Sequence, residues 1–170
     1  MDRTTELLHI RHVRRQMSLR LAMWAGASMV VALMVFAAQP SIPTGVTRSF
    51  IQALAAQCLL WGLIDAGFAL FGLRQAQAAD RAGMAVQTIH RELADRDRLV
   101  RVLNFSGKLD VVWVGLGILL IAIGAGLRNA PLMGHGVGVL IQGGFLMWFD
   151  RSFLKSLTNP ADASSIGSGR

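Results

Sequence analysis

Cysteine is almost missing from this chain. Its one copy, Cys58, excludes an internal disulfide and any paired-cysteine redox or zinc motif. Because Cys58 falls inside an apolar run, it reads as a small packing residue. Motifs of enzyme chemistry are missing too. There is no GxSxG, HExxH or P-loop, and no GxGxxG followed by an acidic residue. Histidine is scarce and badly placed for haem, which between helices needs axial ligands that face each other. Only His135 lies in an apolar run, while His9, His12 and His90 lie among charged residues. No Cys, His or acidic residues stand at metal spacing, so neither a cofactor nor a metal is expected.

Acidic residues are few, ten against seventeen Lys and Arg, which leaves a formal charge of +7 and a pI near 11.4. In a soluble protein that balance would suggest nucleic acid. Here the basic residues flank apolar blocks in a chain that is 53% hydrophobic, so anionic lipid headgroups are the expected partner and nucleic acid is not.

Charge is scarcest inside four blocks, each close to the roughly 20 residues that an apolar helix needs to cross about 30 Å of hydrocarbon. They are Leu21 to Ala38, Ser49 to Leu73, Val111 to Leu127 and Leu132 to Phe149. Asp65 is the one charge within them. Pro40, Pro43 and Gly45 make a short turn between the first two blocks, and Arg128-Asn129-Ala130-Pro131 joins the last two. The expected fold is therefore all-α, a bundle of four transmembrane helices built as two antiparallel hairpins. A basic segment, 1–20, precedes the membrane domain, 21–158, and a flexible tail, 159–170, follows it.

The hairpins are joined by residues 74–108. In this connection Val86, Ile89, Leu93, Val100 and Leu103 recur at helical spacing between charges. That pattern predicts an amphipathic helix on the membrane surface or on a partner, or a solvated helix continuing the second span. Fifteen of the seventeen basic residues fall in 1–20, in the connection or after Phe149; Arg48 and Arg128 lie in the two short turns. By the positive-inside rule both termini are cytoplasmic, as in a multi-pass protein of the bacterial inner membrane. The first block exceeds a typical signal-peptide core, and Val35-Phe36-Ala37-Ala38 is a poor cleavage site, so it is read as an uncleaved anchor.

The two hairpins resemble each other. Trp24-Ala25-Gly26-Ala27-Ser28 matches Trp113-Val114-Gly115-Leu116-Gly117, and Gln57 precedes Asp65 by eight residues just as Gln142 precedes Asp150. This is either a parallel pseudo-repeat or a coincidence between Gly- and Ala-rich helices. Small residues at steps of four mark close helix approaches: Ala22 with Gly26, Ala122 with Gly126, and Gly134 with Gly138. The stripe Gly134, Gly138, Gln142, Leu146, Asp150 should face other helices, as should Asp110, Gly117 and Gly124. Such faces would also serve a homo-oligomer or another membrane protein.

Eight residues separate Asp65 from Leu73, a depth of about 12 Å at roughly 1.5 Å per residue. A carboxylate there is costly. It reads either as a proton or cation site, with Gln57, Trp61 and Gln142 along a path, or as a hydrogen-bonded side chain that locks the bundle. Asp110 and Asp150, beside Lys108 and Arg151 at the inner interface with Arg20, read as solvated helix-end charges. A fainter reading makes Asp110 and Asp150 the acids of a lipid-directed enzyme.

The residues Leu103-Asn104, Leu109-Asp110-Val111, Gly134-His135-Gly136-Val137-Gly138 and Gln142-Gly143-Gly144-Phe145-Leu146, closing on Phe149-Asp150, form a polar pattern set in apolar helices. With Gln57, Trp61-Gly62-Leu63-Ile64 and Phe71-Gly72-Leu73, this resembles an uncharacterised family of small bacterial four-helix integral membrane proteins, over about Leu19 to Phe153. The resemblance implies that asparagine is acceptable at position 65, and it carries no activity, cofactor or partner. The reading reached is a non-enzymatic structural or regulatory membrane protein. The alternative is a small carrier that uses Asp65.

Overall fold

Turn chemistry divides the chain into four long helices. In the first turn, Pro40 enters a short 3-10 segment, Gln39–Ser41, and Gly45 adopts φ of 128°, a conformation that a side chain would strain. The Arg48 guanidinium donates to the Gln39 carbonyl and ties this turn to the next helix. In the second turn, the amides of Arg128 and Asn129 donate to the carbonyls of Ala125 and Gly124, a Schellman pattern that holds Arg128 at φ 53°. Asn129 then caps the following helix, its Oδ1 accepting from the Leu132 amide at 3.0 Å.

The computed structural model describes residues 3–82 and 86–158, with side chains described from 5 to 81 and from 94 to 158. The helices are α1 (Arg3–Ala38), α2 (Val46–Ala82), α3 (Val86–Gly126) and α4 (Ala130–Thr158). All four are long and apolar enough to cross a membrane, and there is no strand among the described residues. At about 1.5 Å per residue the 41 residues of α3 extend about 60 Å, twice the hydrocarbon thickness of a bilayer.

That length changes the reading of residues 74–108. No separate surface helix is present among the described residues of this connection. The C-terminal end of α2 and the N-terminal half of α3 form it, each continuous with its apolar segment. Leu103 is buried, and Leu99 and Val100 pack against the same core, so the amphipathic pattern serves the bundle itself. The side chains of Val86, Ile89 and Leu93, and the tail 159–170, lie outside the described residues. At the other terminus, residues 3–20 continue α1 without a break. Leu7, Ile10, Val13 and Leu21 of α1 are all buried, at the helical spacing of a core-facing stripe.

α1 packs along α2 and α3 along α4, giving two antiparallel hairpins, and α2 packs on α4 to join them. Among the described residues α2 and α3 have no such extended contact. A core cluster of Val13, Leu21, Ala69, Leu103, Phe149, Phe153 and Leu157 draws on all four helices and lies toward the basic end. The apolar segments are inverted relative to a soluble protein. Val30, Leu33, Leu60, Phe68, Val112 and Leu119 are all more than half exposed, so a belt of large apolar side chains faces outward.

Candidate functional site

Close helix approach creates the setting for the buried polar groups. A Cβ on Gly138 would stand 2.6 Å from Gln57 Cβ, and one on Gly134 would collide with the Phe50 carbonyl, so α4 meets α2 almost backbone to backbone. Gly117 and Gly124 bring α3 against α4 in the same way, 2.8 Å from the Leu140 and Met133 amides respectively. Gly136 and Gly143, which the sequence pattern did not single out, complete that contact. Gly26 does not belong with them. A Cβ there meets nothing within 4 Å, and the approach of α1 to α2 occurs where Gly62 faces Met29 and the Ala25 carbonyl. Gly126 is open too.

At this narrow junction three helices are joined by side chains. Gln142 of α4 donates from Nε2 to Asp65 Oδ2 of α2 at 2.6 Å, and Trp24 of α1 donates from Nε1 to Gln142 Oε1 at 2.9 Å. Asp65 and Gln142 are 3% and 4% exposed, so the bond between them is buried, while the one from half-buried Trp24 is only partly covered. Trp24 is held flat on Phe145, ring centroids 3.9 Å apart and 6° from parallel.

Gln57 and Trp61 share a helical stripe with Asp65, yet the structure gives them other partners. Gln57 Oε1 accepts from His135 Nδ1 at 3.3 Å, and Trp61 meets Trp113 edge-on at 5.4 Å. Positions matched between the hairpins thus differ in bonding: Gln142 binds the aspartate of the opposite hairpin, whereas Gln57 binds a histidine. The tryptophans keep a likeness, since Trp24 and Trp113 each reach from the first helix of one hairpin to the second helix of the other.

Beside the polar junction, a cavity of about 270 Å³ lies between α1, α2 and α4. Its lining includes Val31, Val35, Ile51, Leu54, Cys58 and Ile141, with Trp24, Trp61, Ser28 and Gln142. The Trp61 indole N–H has no hydrogen-bond acceptor among the described residues.

Asp110 and Asp150 correct the expectation of solvated helix ends. Asp110 is 2% exposed and Asp150 6%. The helices continue past these residues and cover them: Ser106, one turn earlier on α3, forms a side-chain hydrogen bond with Asp150. One carboxylate oxygen of each aspartate, Oδ2, is buried without a partner among the described residues. Lys108 and Arg151 are exposed around them, and the Arg20 guanidinium lies 5.6 Å over the Phe153 ring. Sequence pattern also missed His9, whose Nε2 lies 3.0 Å from the Ser156 carbonyl and links α1 to the end of α4. Among the described residues no three His, Cys, Asp or Glu side chains converge as metal ligands would.

The architecture defines a class: an all-α four-helix bundle with membrane-length apolar helices and a polar junction linking its hairpins. The chain belongs to the family of unknown function DUF6992, whose model matches residues 20–151. No curated protein and no solved structure matched the chain.

Proposed function

We propose that this chain is a non-enzymatic integral protein of the bacterial inner membrane, crossing four times with both termini in the cytoplasm, where it acts as a structural or regulatory bundle. The outward apolar belt supports insertion, and the concentration of fifteen of the seventeen basic residues in 1–20, 74–108 and after Phe149 of the sequence supports the orientation. The observation that carries the functional reading is the junction of Asp65, Gln142 and Trp24. There the one charged residue within the apolar blocks is committed to a helix-to-helix bond, and the adjoining cavity has a mainly apolar wall. Such a junction locks hairpins together. With Gly134 and Gly138 occupied inside the protomer, a second copy or another membrane protein would use the open surface around Gly26 and Gly115.

A second reading, a proton- or cation-coupled carrier, draws support from Asp110 and Asp150 and their unpartnered oxygens. Flux measurements on proteoliposomes separate the two. The structural reading expects proton, sodium and potassium leaks equal to those of protein-free vesicles. A flux above that background that vanishes in a folded Asp65→Asn protein, or in a folded Asp110→Asn/Asp150→Asn protein, would replace it with the carrier.

A further inference from the structure

The seam between α2 and α3 is open. α4 packs on both helices, yet α2 and α3 meet each other edge-on at Trp61 and Trp113, with no extended packing between them among the described residues. Toward the basic end the seam widens into a cleft of about 670 Å³, walled by Phe71 and Gln75 of α2 and by Arg98 and Val102 of α3, with Arg14 and Ser18 of α1 behind.

The chemistry of this cleft changes along the bundle axis. Phe71 and Val102 are 63% and 53% exposed, and the apolar walls run on toward the membrane-length segments through Phe68 and Phe105, also exposed. At the other end stand two guanidiniums and one carboxylate. Arg14 approaches Asp95 at 3.8 Å, too far for a hydrogen-bonded pair, and Arg98 is exposed with no ion pair among the described residues. Ser18 and Phe71 sit within three residues of Leu21 and Leu73, where the first two apolar blocks end. Arg14 lies seven residues beyond Leu21, about 10 Å, within reach of a headgroup layer for a long arginine side chain.

An apolar wall leading to a net positive rim, at the level where the apolar blocks of α1 and α2 end, matches one molecule in shape and charge. We propose that this cleft binds an anionic phospholipid, its phosphate between Arg14 and Arg98 and one acyl chain along Phe71 and Val102. The proposal rests on the membrane reading above and identifies one lipid contact within it, on the leaflet at the basic end.

Native mass spectrometry of the full chain from mixed micelles containing phosphatidylglycerol or phosphatidylcholine tests it. The wild type should retain one phosphatidylglycerol in preference to phosphatidylcholine. Arg14→Gln/Arg98→Gln should weaken retention about thirtyfold, since each arginine near anionic lipid contributes about 1 kcal/mol. Arg74→Gln/Arg101→Gln removes the same charge outside the cleft and should leave retention unchanged. Val102→Trp keeps every charge, fills the apolar wall and should weaken retention as well; its exposed position allows folding, which circular dichroism checks. Equal losses in the two double variants would reduce the site to diffuse surface charge. Equal retention of both lipids, an unaffected Val102→Trp, or a dimer in place of bound lipid would overturn the proposal. Retention in micelles is independent of orientation, so reporters placing the basic end outside the cell would refute the topology and leave the lipid site standing.

Discussion

Asp65 shows how a costly residue becomes a useful one. Polar bonds between membrane helices contribute on average only about 0.6 kcal/mol, because the separated helices also find partners, but an amide stranded in an apolar interior costs about 1–3 kcal/mol. Gln142 is the side chain at risk. Asp65→Asn keeps an acceptor for Gln142 and should unfold within about 1 kcal/mol of the wild type in detergent. Asp65→Leu leaves the Gln142 amide unpaired and should cost about 1–3 kcal/mol. Thermal unfolding followed by circular dichroism ranks the two, and a leucine variant as stable as the asparagine one would remove the junction from the account of stability. At this scale Asp65 and Gln142 were legible as polar residues in apolar runs. Their pairing was not: residues four apart share a face of their own helix, and nothing in that spacing says which neighbour the face meets. Asp110 and Asp150 were misplaced for a related reason, since a charge that ends an apolar run need not end the helix carrying it.

Among the helices, glycine spacing marks several close approaches but does not distinguish a contact from open space. Gly117, Gly124, Gly134 and Gly138 stand where a Cβ would collide with a facing helix, and Gly26 and Gly115, in an equally suggestive context, face nothing. Gly138→Leu must displace Gln57 and should destabilise the bundle by about 1–3 kcal/mol, the usual cost of overpacking. Gly115→Leu adds a side chain to an open face and should be neutral or slightly stabilising, because glycine is a poor helix former. Parallel melts of the two variants in one detergent check the pair; equal losses would mean that backbone flexibility and not packing sets the response. Helix existence was legible from the apolar blocks and helix ends from proline, glycine and asparagine. Helix length was not, because the charged halves of α1 and α3 carry a sparser apolar stripe that a search for membrane spans passes over. Leu7, Ile10, Val13, Met17 and Leu21 form that stripe in α1, and its 3.6-residue period was the available signal.

For the molecule as a whole, the proposed orientation rests on the distribution of arginine and lysine. Reporter fusions after Arg170 should be cytoplasmic, and reporters inserted at Pro43 or Asn129 should be periplasmic; either turn found in the cytoplasm would break the four-span topology. The number of helices, their hairpin pairing and their apolar character were determined by sequence alone, because transfer of a side chain to hydrocarbon and the φ, ψ demands of a turn are properties of short stretches of chain. Tertiary structure alone decided that the hairpins join through α2 and α4, that Gln142 serves Asp65, that Asp110 and Asp150 are covered, and that α2 and α3 stand apart. Each of those depends on distances between residues far apart in the chain, and such distances are set when whole helices settle against one another, at contacts where a single missing Cβ determines how near two backbones can come.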